Sequence, residues 1–312
     1  MSSRPLVIGS RGSRLAILQA AWVRDRLLEA QPGLNVSIEA IATKADKMLD
    51  APLAKIGDKG LFIKELEQAL LEGRIDMAVH SAKDVPTELP PQLTIGALTE
   101  REQVHDVYVG AASSLSDIPE GSRVGSSSLR RRSQLLALRP DLELVEIRGN
   151  VQTRLSKLES GVAQGTVLAA AGLNRLGRVD LVAFVFSLDE LLPAVGQGAL
   201  AVEVRADDDR VGELVAIVNH EPTALALRAE RTLMHELEGG CQVPIGGLAE
   251  LDGERLRLRA YVGSLDGRQT VSAQLEAPAS QPEQLGRSLA DEMRKRGATS
   301  ILEQVRMAAA AD

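Results

Sequence analysis

The chain has 312 residues, of which 44% are hydrophobic, 25% are charged and 2% are aromatic. This composition predicts a folded globular protein of two or three domains and disfavours nucleic-acid binding through aromatic stacking. The net charge of −7 also disfavours a basic protein that binds nucleic acid or a membrane surface.

No apolar run approaches the ~18–20 residues of a membrane helix, and the first ten residues lack a signal-peptide pattern. The single cysteine, Cys241, excludes an intrachain disulfide, and with four scattered histidines it matches none of the usual zinc spacings. We therefore expect a cytoplasmic protein without a bound metal or a membrane partner.

Short β-like runs alternate with helical stretches in the first hundred residues. Strands are predicted at residues 6–8, 36–43 and 75–80, and helices over residues 14–30 and 61–72. This alternation predicts a mostly parallel sheet with helices on both faces. The pattern stops between residues 44 and 60, where four lysines and two glycines occur. That stretch is either a solvated surface loop or a mobile lid over an anionic ligand.

The same alternation restarts in the second hundred residues. Strands are predicted at residues 106–110, 122–125, 142–147 and 166–171, and helices over residues 129–138 and 151–159. Two segments, Val7-Ile8-Gly9-Ser10 and Arg123-Val124-Gly125-Ser126, each end a strand and precede a polar turn and a helix. They indicate either two similar α/β domains, each with a helix N-terminus at a shared cleft, or a chance likeness of two turns.

The last third of the chain has a different pattern. A strand at residues 199–205 and a helix at 207–219 are followed by a helix from Pro222 to about residue 237. Asp252-Gly253 and Asp266-Gly267 are typical of hairpin turns and predict a three-stranded antiparallel sheet over residues 247–276. Two helices parted by Gly297 complete an α+β domain.

Arginine is concentrated between residues 123 and 178, where ten basic residues face only four acidic ones. Arg11, Arg130, Arg131 and Arg148 follow predicted strands, and open α/β sheets bind ligands at the carboxyl ends of their strands. Helix N-termini and forked guanidinium groups both favour anions. An anion-binding cleft is the favoured interpretation, and surface ion pairs are the alternative.

Two further segments carry reactive groups. In His80-Ser81-Ala82-Lys83-Asp84-Val85-Pro86, nearby positive charge keeps Asp84 ionised, so it suits stabilising a cation or moving a proton. A structural ion pair or a turn cap is the alternative. Cys241 lies among glycines that let a backbone approach a ligand closely, and it is either an attachment point or a small buried residue.

Eight motifs follow one another in order from residue 8 to about 247. They are Ile8-Gly9-Ser10-Arg11-Gly12-Ser13, Gly57-Asp58-Lys59-Gly60-Leu61-Phe62, His80-Ser81-Ala82-Lys83-Asp84-Val85-Pro86, Gly125-Ser126-Ser127-Ser128-Leu129-Arg130-Arg131, Arg148-Gly149-Asn150-Val151, Ala171-Gly172-Leu173-Asn174-Arg175-Leu176, Pro193-Ala194-Val195-Gly196-Gln197-Gly198 and Gly240-Cys241-Gln242-Val243-Pro244. Together these motifs resemble those of the porphobilinogen deaminase (hydroxymethylbilane synthase) family.

The resemblance implies two α/β domains like the halves of periplasmic binding proteins, plus a smaller C-terminal α+β domain with a three-stranded antiparallel sheet. We expect the first domain at residues 1–98 and 199–218, the second at 103–193 and the third at 220–312. It also implies a monomer that joins four porphobilinogen molecules head to tail, with loss of ammonia, to give hydroxymethylbilane. The implied primer is a dipyrromethane cofactor held by a thioether to Cys241.

The resemblance also implies a role for each matched residue. Asp84 matches the catalytic aspartate. The positions that match cofactor-carboxylate ligands are Lys83, Ser128, Arg130 and Arg131. The positions that match substrate-binding residues are Arg11, Ser13, Gln19, Phe62, Arg148, Arg154 and Arg175. Lys55 and Lys59 fall in the family's lid. One departure is Gln103-Val104-His105-Asp106, where the family usually has Asp-Pro-Arg-Asp.

Two other functions remain open from the residues alone. A binding protein for a carboxylated or phosphorylated small molecule would explain the arginines but not Cys241 or the third domain. A phosphate-ester enzyme would need a metal–carboxylate cluster or a phosphate loop, and Gly9-Ser10-Arg11-Gly12 matches neither the dinucleotide nor the Walker pattern.

Overall fold

The computed structural model describes residues 5–43, 63–238 and 243–311. Its strands are β1 (Leu6–Arg11), β2 (Val36–Ile41), β3 (Met77–Ser81), β4 (Leu93–Leu98), β5 (Asp106–Gly110), β6 (Arg123–Gly125), β7 (Glu143–Val145), β8 (Gly165–Ala169), β9 (Phe184–Val185), β10 (Leu200–Arg205), β11 (Ile245–Asp252), β12 (Arg255–Gly263) and β13 (Thr270–Pro278). Its α-helices are α1 (Arg14–Ala30), α2 (Lys64–Leu71), α3 (Leu129–Leu138), α4 (Val151–Glu159), α5 (Ala170–Leu176), α6 (Asp209–Val215), α7 (Glu221–Glu236), α8 (Pro282–Lys295) and α9 (Ala298–Ala311).

The described residues form two compact units. The first contains residues 5–43, 63–102 and 198–224, and the second contains 103–197, 225–238 and 243–311. The first unit holds one five-stranded sheet, and the second holds another five-stranded sheet and the three-stranded sheet. Two α/β sheets and a separate antiparallel sheet confirm the predicted fold class. The boundaries of three separate domains stay a prediction.

The sheet of the first unit has the order β2-β1-β3-β10-β4. Strand β10 is antiparallel to both of its neighbours, and the other four strands share one direction. Sheets covered on both faces are built from nearly continuous apolar strands, and Ile8, Val79 and Val202 are fully or almost fully buried here. Helix α1 adds Val23 and Leu27 to the same core.

The first sheet of the second unit repeats this arrangement with the order β7-β6-β8-β5-β9, in which β5 is the antiparallel strand. Strand β6 corresponds to β1, and the two strands begin alike. The Val7 N–H donates to the Asp76 carboxylate at 2.8 Å, and the Arg123 N–H donates to the Gln164 side-chain oxygen at 2.8 Å. The repeated four-residue segments therefore reflect a repeated fold.

The C-terminal sheet is an antiparallel meander in the order β11-β12-β13. Its core includes Leu258 of β12, Leu233 of α7, and Leu289 and Met293 of α8. Gly286 lets α8 approach α7 closely, because a Cβ at this position would lie 2.6 Å from the Ala229 carbonyl oxygen. The predicted meander and the two final helices are confirmed.

Several predicted elements need correction. The strand predicted at residues 166–171 ends at Ala169, where α5 begins at once. The helix predicted at 207–219 is α6 followed by a 3₁₀ turn over Ala216–Val218. Strands β4 and β9 were not predicted, because the hydrophobic pattern of each differs too little from that of the neighbouring residues. The loop predicted over residues 44–60 lies outside the described residues.

Candidate functional site

In the first unit, the candidate residues gather where β3 ends. Asp84 closes a single 3₁₀ turn, Ala82–Asp84, and its side chain is half-buried. The turn is fixed because the Ala82 N–H donates to the Ala199 carbonyl at 3.0 Å. Within the described part of the chain, the Asp84 carboxylate has no hydrogen bond or ion pair. It is therefore held at a sheet end with its oxygens available to a ligand.

Gln19 belongs to this same group of residues. It lies on α1 and is 4% exposed, and its amide nitrogen donates to the Ser81 hydroxyl at 2.9 Å. Ser81 ends β3, directly before the turn that carries Lys83 and Asp84. The structure thus brings Gln19 to the predicted catalytic segment.

The other predicted residues of the first unit flank the start of α1. Arg11 ends β1 and is half-buried. Ser13 is the N-cap of α1, and its hydroxyl accepts a hydrogen bond from the Ala16 N–H at 3.2 Å. A serine at this position satisfies a helix N–H group that otherwise lacks an acceptor, so Ser13 already has a structural role.

In the second unit, Arg130 and Arg131 of α3 are buried beside a carboxylate. Arg130 Nη2 lies 2.8 Å from one oxygen of Asp106, and Arg131 Nη2 lies 2.7 Å from the other. The Gln197 amide nitrogen also donates to Asp106, at 2.9 Å. We call these four residues (Asp106, Arg130, Arg131 and Gln197) the arginine cluster.

The electrostatics of the arginine cluster keep Asp106 ionised. Burial by itself raises the pKa of this carboxyl group, but the two guanidiniums and the hydrogen bonds from Arg131 and Gln197 hold the pKa of Asp106 well below its ordinary value. One carboxylate thus faces two cations. Moreover, Nε of Arg130 and Nε of Arg131 are buried without an acceptor among the described residues. The cluster therefore has a positive charge in excess and two N–H groups left for an anion.

Ser128 lies at the N-cap position of α3, one turn from the arginine cluster. Its side chain makes no capping hydrogen bond to the helix, and its own N–H donates to the Ser126 hydroxyl at 3.2 Å. The start of α3 therefore differs from that of α1, where the serine side chain caps the helix.

A second group of arginines surrounds the start of α4. Asn150 caps this helix, as predicted, by accepting from the Thr153 N–H at 3.0 Å. Arg154 Nε donates to the Gly149 carbonyl at 2.9 Å, and Gly149 has a positive φ of 110° that favours glycine. Arg148 Nη1 is buried without an acceptor in the described part of the chain. Arg148 is half-buried and its Nε lies 3.9 Å from a Glu146 carboxylate oxygen, so Nη1 is the donor it has to spare.

The remaining predicted residues fall into two groups. Arg175 is in the last turn of α5 and is half-buried. Cys241, Phe62, Lys55 and Lys59 lie outside the described residues.

Sequence reasoning missed the contribution of Asp106 and Gln197. The signal for Asp106 was a charged residue opening an otherwise apolar strand, Asp106-Val107-Tyr108-Val109, where it is fully buried. The segment that departs from the family pattern is also well anchored, because the Val104 carbonyl accepts from Gln197 at 2.6 Å.

Two features are absent from the described residues, a metal-binding cluster and a membrane-spanning helix. Among these residues, no three His, Cys, Asp or Glu side chains are grouped so as to hold a metal ion. No helix in this part of the chain is long and apolar enough to cross a membrane.

In the second unit, an α/β sheet carries buried arginine nitrogens without an acceptor in the described residues, an arrangement typical of a protein that binds an anion. The family model described as porphobilinogen deaminase, dipyromethane cofactor binding domain, matches residues 6–213. The model of the porphobilinogen deaminase C-terminal domain matches residues 224–295. The chain therefore belongs to the porphobilinogen deaminase family.

Curated relatives match nearly the whole chain in sequence. A porphobilinogen deaminase of Desulforudis audaxviator is 52% identical and covers 98% of this chain and 99% of its own length. A porphobilinogen deaminase of Geotalea uraniireducens is 48% identical, and the match covers 98% of this chain and 96% of that protein. Among solved structures, the periplasmic VFT2 domain of BvgS from Bordetella pertussis is 15% identical, with a TM-score of 0.42, and covers 68% of this chain and 86% of its own.

Proposed function

We propose that this protein is a porphobilinogen deaminase that joins four porphobilinogen molecules head to tail, with loss of ammonia, to give hydroxymethylbilane. The observation that carries the proposal is the family match over residues 6–213 and 224–295, supported by relatives of that name at 48% and 52% identity. The spare donors of the arginine cluster suit a substrate that bears an acetate and a propionate on each ring.

The residues present fit a dipyrromethane cofactor. Such a group has four carboxylates, and the arginine cluster has an excess positive charge and two buried N–H groups without an acceptor in the described residues. We propose that its carboxylates are held by Lys83, Ser128, Arg130 and Arg131, and that a thioether joins it to Cys241. When bound, this group supplies a pyrrole carbon as the nucleophile, so the chain needs no nucleophilic serine or metal of its own.

Asp84 is the proposed catalytic residue. Loss of ammonia from porphobilinogen leaves a cation, and a carboxylate without a competing ion pair stabilises it. After the new carbon–carbon bond forms, the same carboxylate accepts the ring proton. The position of Asp84 at the end of β3, without a hydrogen bond or ion pair in the described structure, supports both roles.

The substrate and the growing chain bring further carboxylates that need cationic and polar partners. We propose that Arg148 and Arg154 at the start of α4, Arg175 of α5, and Arg11, Ser13 and Gln19 of the first unit bind them, together with Phe62. Lys55 and Lys59 are the proposed lid residues. The spare Arg148 donor supports this assignment most directly.

Turnover tests the proposed function against a pure binding role. Purified protein is incubated with porphobilinogen, and ammonia and hydroxymethylbilane are measured. We expect four molecules of ammonia for each tetrapyrrole formed. Binding of porphobilinogen without release of ammonia would contradict the proposal and favour a binding protein for carboxylated small molecules.

We also propose that the protein is a cytoplasmic monomer. Size-exclusion chromatography with light scattering tests its oligomeric state.

A further inference from the structure

The Asp106 carboxylate is the centre of the arginine cluster. One oxygen accepts from Arg131 at 2.7 Å and from Gln197 at 2.9 Å, and the other accepts from Arg130 at 2.8 Å. Asp106 itself is wholly buried. Each of the other three residues of the cluster therefore contacts this one carboxylate.

The remaining contacts orient the two guanidiniums in the same way. Arg130 Nη1 donates to the Leu192 carbonyl at 2.7 Å, and Arg131 Nη1 donates to the Val167 carbonyl at 2.9 Å. In both side chains one Nη faces a backbone carbonyl and the other faces Asp106. Nε is the nitrogen left over in each, buried and without an acceptor in the described residues.

Asp106 is itself held by two connecting segments of the second unit. Gln197 Nε2 donates both to Asp106 and to the Val104 carbonyl, so it joins residues 103–106 to the Pro193–Gly198 connector. Gln134 fixes the residue before that connector, because its side-chain oxygen accepts from the Leu192 N–H at 2.8 Å. The carboxylate thus has little freedom to move away from the arginines.

The charge balance explains why this arrangement suits an anionic ligand. Two buried guanidiniums without a counter-ion would carry a large desolvation cost, and two carboxylates would leave no charge for a ligand. A single shared carboxylate offsets part of the desolvation cost of the two arginines. It also leaves the group with a net charge of about +1 for a ligand. The Nε–H groups of Arg130 and Arg131, which have no acceptor in the described residues, are the donors available to an anionic ligand.

We propose that Asp106 is the positioning residue of the cofactor site, the shared counter-ion that orients Arg130 and Arg131 and leaves their Nε–H groups for cofactor carboxylates. This inference rests on the proposed function. It assigns to Asp106 no contact with substrate, cofactor or reacting atoms. Its effect is transmitted through the two arginines and is separable from the chemistry at Asp84.

The test compares Asp106→Asn with a matched control, Asp76→Asn. Asp76 is also buried, accepts from the Val7 N–H at 2.8 Å and lies 3.5 Å from Arg205, but it is not part of the arginine cluster. Each full-length protein is produced in cells that cannot make porphobilinogen, and its unfolding midpoint is recorded. Porphobilinogen is then added, and intact mass follows the gain of two pyrrole units over time.

We expect both substitutions to lower the unfolding midpoint, but only Asp106→Asn to slow the mass gain, by about tenfold or more, as loss of a charged hydrogen bond predicts. Equal rates for Asp106→Asn and Asp76→Asn would overturn the inference, because Asp106 would then be merely structural. A wild-type protein that gains no mass and releases no ammonia would contradict the proposed function instead.

A second variant covers the case in which Asp106→Asn does not fold. Gln197→Met keeps both ion pairs of Asp106 and removes the amide nitrogen that donates to Asp106 and to the Val104 carbonyl. We expect it to fold and to gain the two pyrrole units severalfold more slowly than the wild type. A wild-type rate for this variant would overturn the positioning role of the cluster.

Discussion

At the scale of single residues, the Asp84 carboxylate differs from two other carboxylates that lie near basic side chains, those of Asp106 and Asp141. Asp106 has two arginine partners, and Asp141 is hydrogen-bonded by Arg139, which lowers the pKa of Asp141 to about 2. Asp84 has no such contact in the described residues, although it lies beside Lys83. A carboxylate kept out of internal ion pairs is available to a cationic intermediate.

Asp84→Asn is the direct test of that role. The amide cannot accept a proton at neutral pH, so we expect turnover to fall by about 10²–10⁴-fold, the usual range for loss of an acid–base group. The rate of ammonia release from porphobilinogen measures it. The unfolding midpoint and the cofactor mass should stay near their wild-type values. Near-normal turnover would exclude Asp84 as the catalytic group.

Arg148 gives a prediction about chain growth. In the Arg148→Leu variant we expect protein that carries partly elongated chains to accumulate, because a buried donor for the added carboxylates is lost. The affected elongation step should slow by about 10–100-fold. Intact mass during turnover measures the chain lengths. Arg123→Gln is a suitable control, since Arg123 is exposed and its side chain contacts the Gly161 carbonyl. Weaker binding without trapped intermediates would point to ground-state binding alone.

Asp106 also makes stability depend on pH. Its pKa is lower in the folded protein than in the unfolded chain, so its contribution is present above the ordinary aspartate pKa of about 4 and is lost as the pH falls below it. We expect Asp106→Asn to lose about 3–5 kcal/mol at neutral pH and to show a weaker decline in acid. Urea unfolding between pH 3 and pH 7 measures both. Parallel pH profiles for the two proteins would contradict the ion-pair account.

At the scale of secondary-structure elements, glycine fixes how closely side chains pack on the first strand of each repeat. A Cβ at Gly9 would lie 2.3 Å from Ile75 Cδ1, and one at Gly125 would lie 2.2 Å from Ile147 Cδ1. Each glycine directly precedes a serine, Ser10 within β1 and Ser126 just after β6. The repeated sequence segments thus encode a repeated packing requirement.

Gly125→Ala should therefore be destabilising by about 1–3 kcal/mol, because the added methyl group overpacks the strand. Gly212→Ala is the control: Gly212 is within α6, has no atom within 4 Å of a built Cβ, and should gain about 0.5–1 kcal/mol from better helix propensity. Denaturant unfolding of both variants measures the difference. Equal effects of the two substitutions would contradict this packing account.

The regular elements with strong local signals were predictable from sequence. Helices α1, α3 and α4 begin and end at the predicted residues, because their apolar spacing and caps are local features. The start of α5 was not predictable in this way, since the apolar run of β8 continues into the helix through Ala170 and Ala171. Strand β9, with two residues, is defined by its pairing with β5 rather than by its own sequence.

The candidate site was predictable in its residue types but not in its pairing. The number and positions of the arginines indicated anion binding, and Arg148 keeps a spare donor, as that interpretation requires. The ion pairs of Arg130 and Arg131 depend on Asp106, 24 and 25 residues away. Strand β5 brings it there by inserting antiparallel beside β8, a tertiary feature that no local pattern encodes.

At the scale of the whole molecule, the two five-stranded sheets share one topology, and in each the antiparallel strand closely follows a crossing of the chain from the other unit. Strand β5 begins at Asp106, soon after the first crossing, and β10 begins at Leu200, soon after the second. Gln197 and Asp106 lie at these crossings. The four residues of the arginine cluster all belong to the second unit, and Asp106 and Gln197 are close in sequence to these crossings.

The most direct test of the central claim is the intact mass of the denatured, purified protein, followed by peptide mapping. We predict a mass above that of the polypeptide by two porphobilinogen units less two ammonia molecules, located on the peptide that contains Cys241 and absent from Cys241→Ala. A bare polypeptide mass that does not change on incubation with porphobilinogen, or the same added mass in Cys241→Ala, would contradict it.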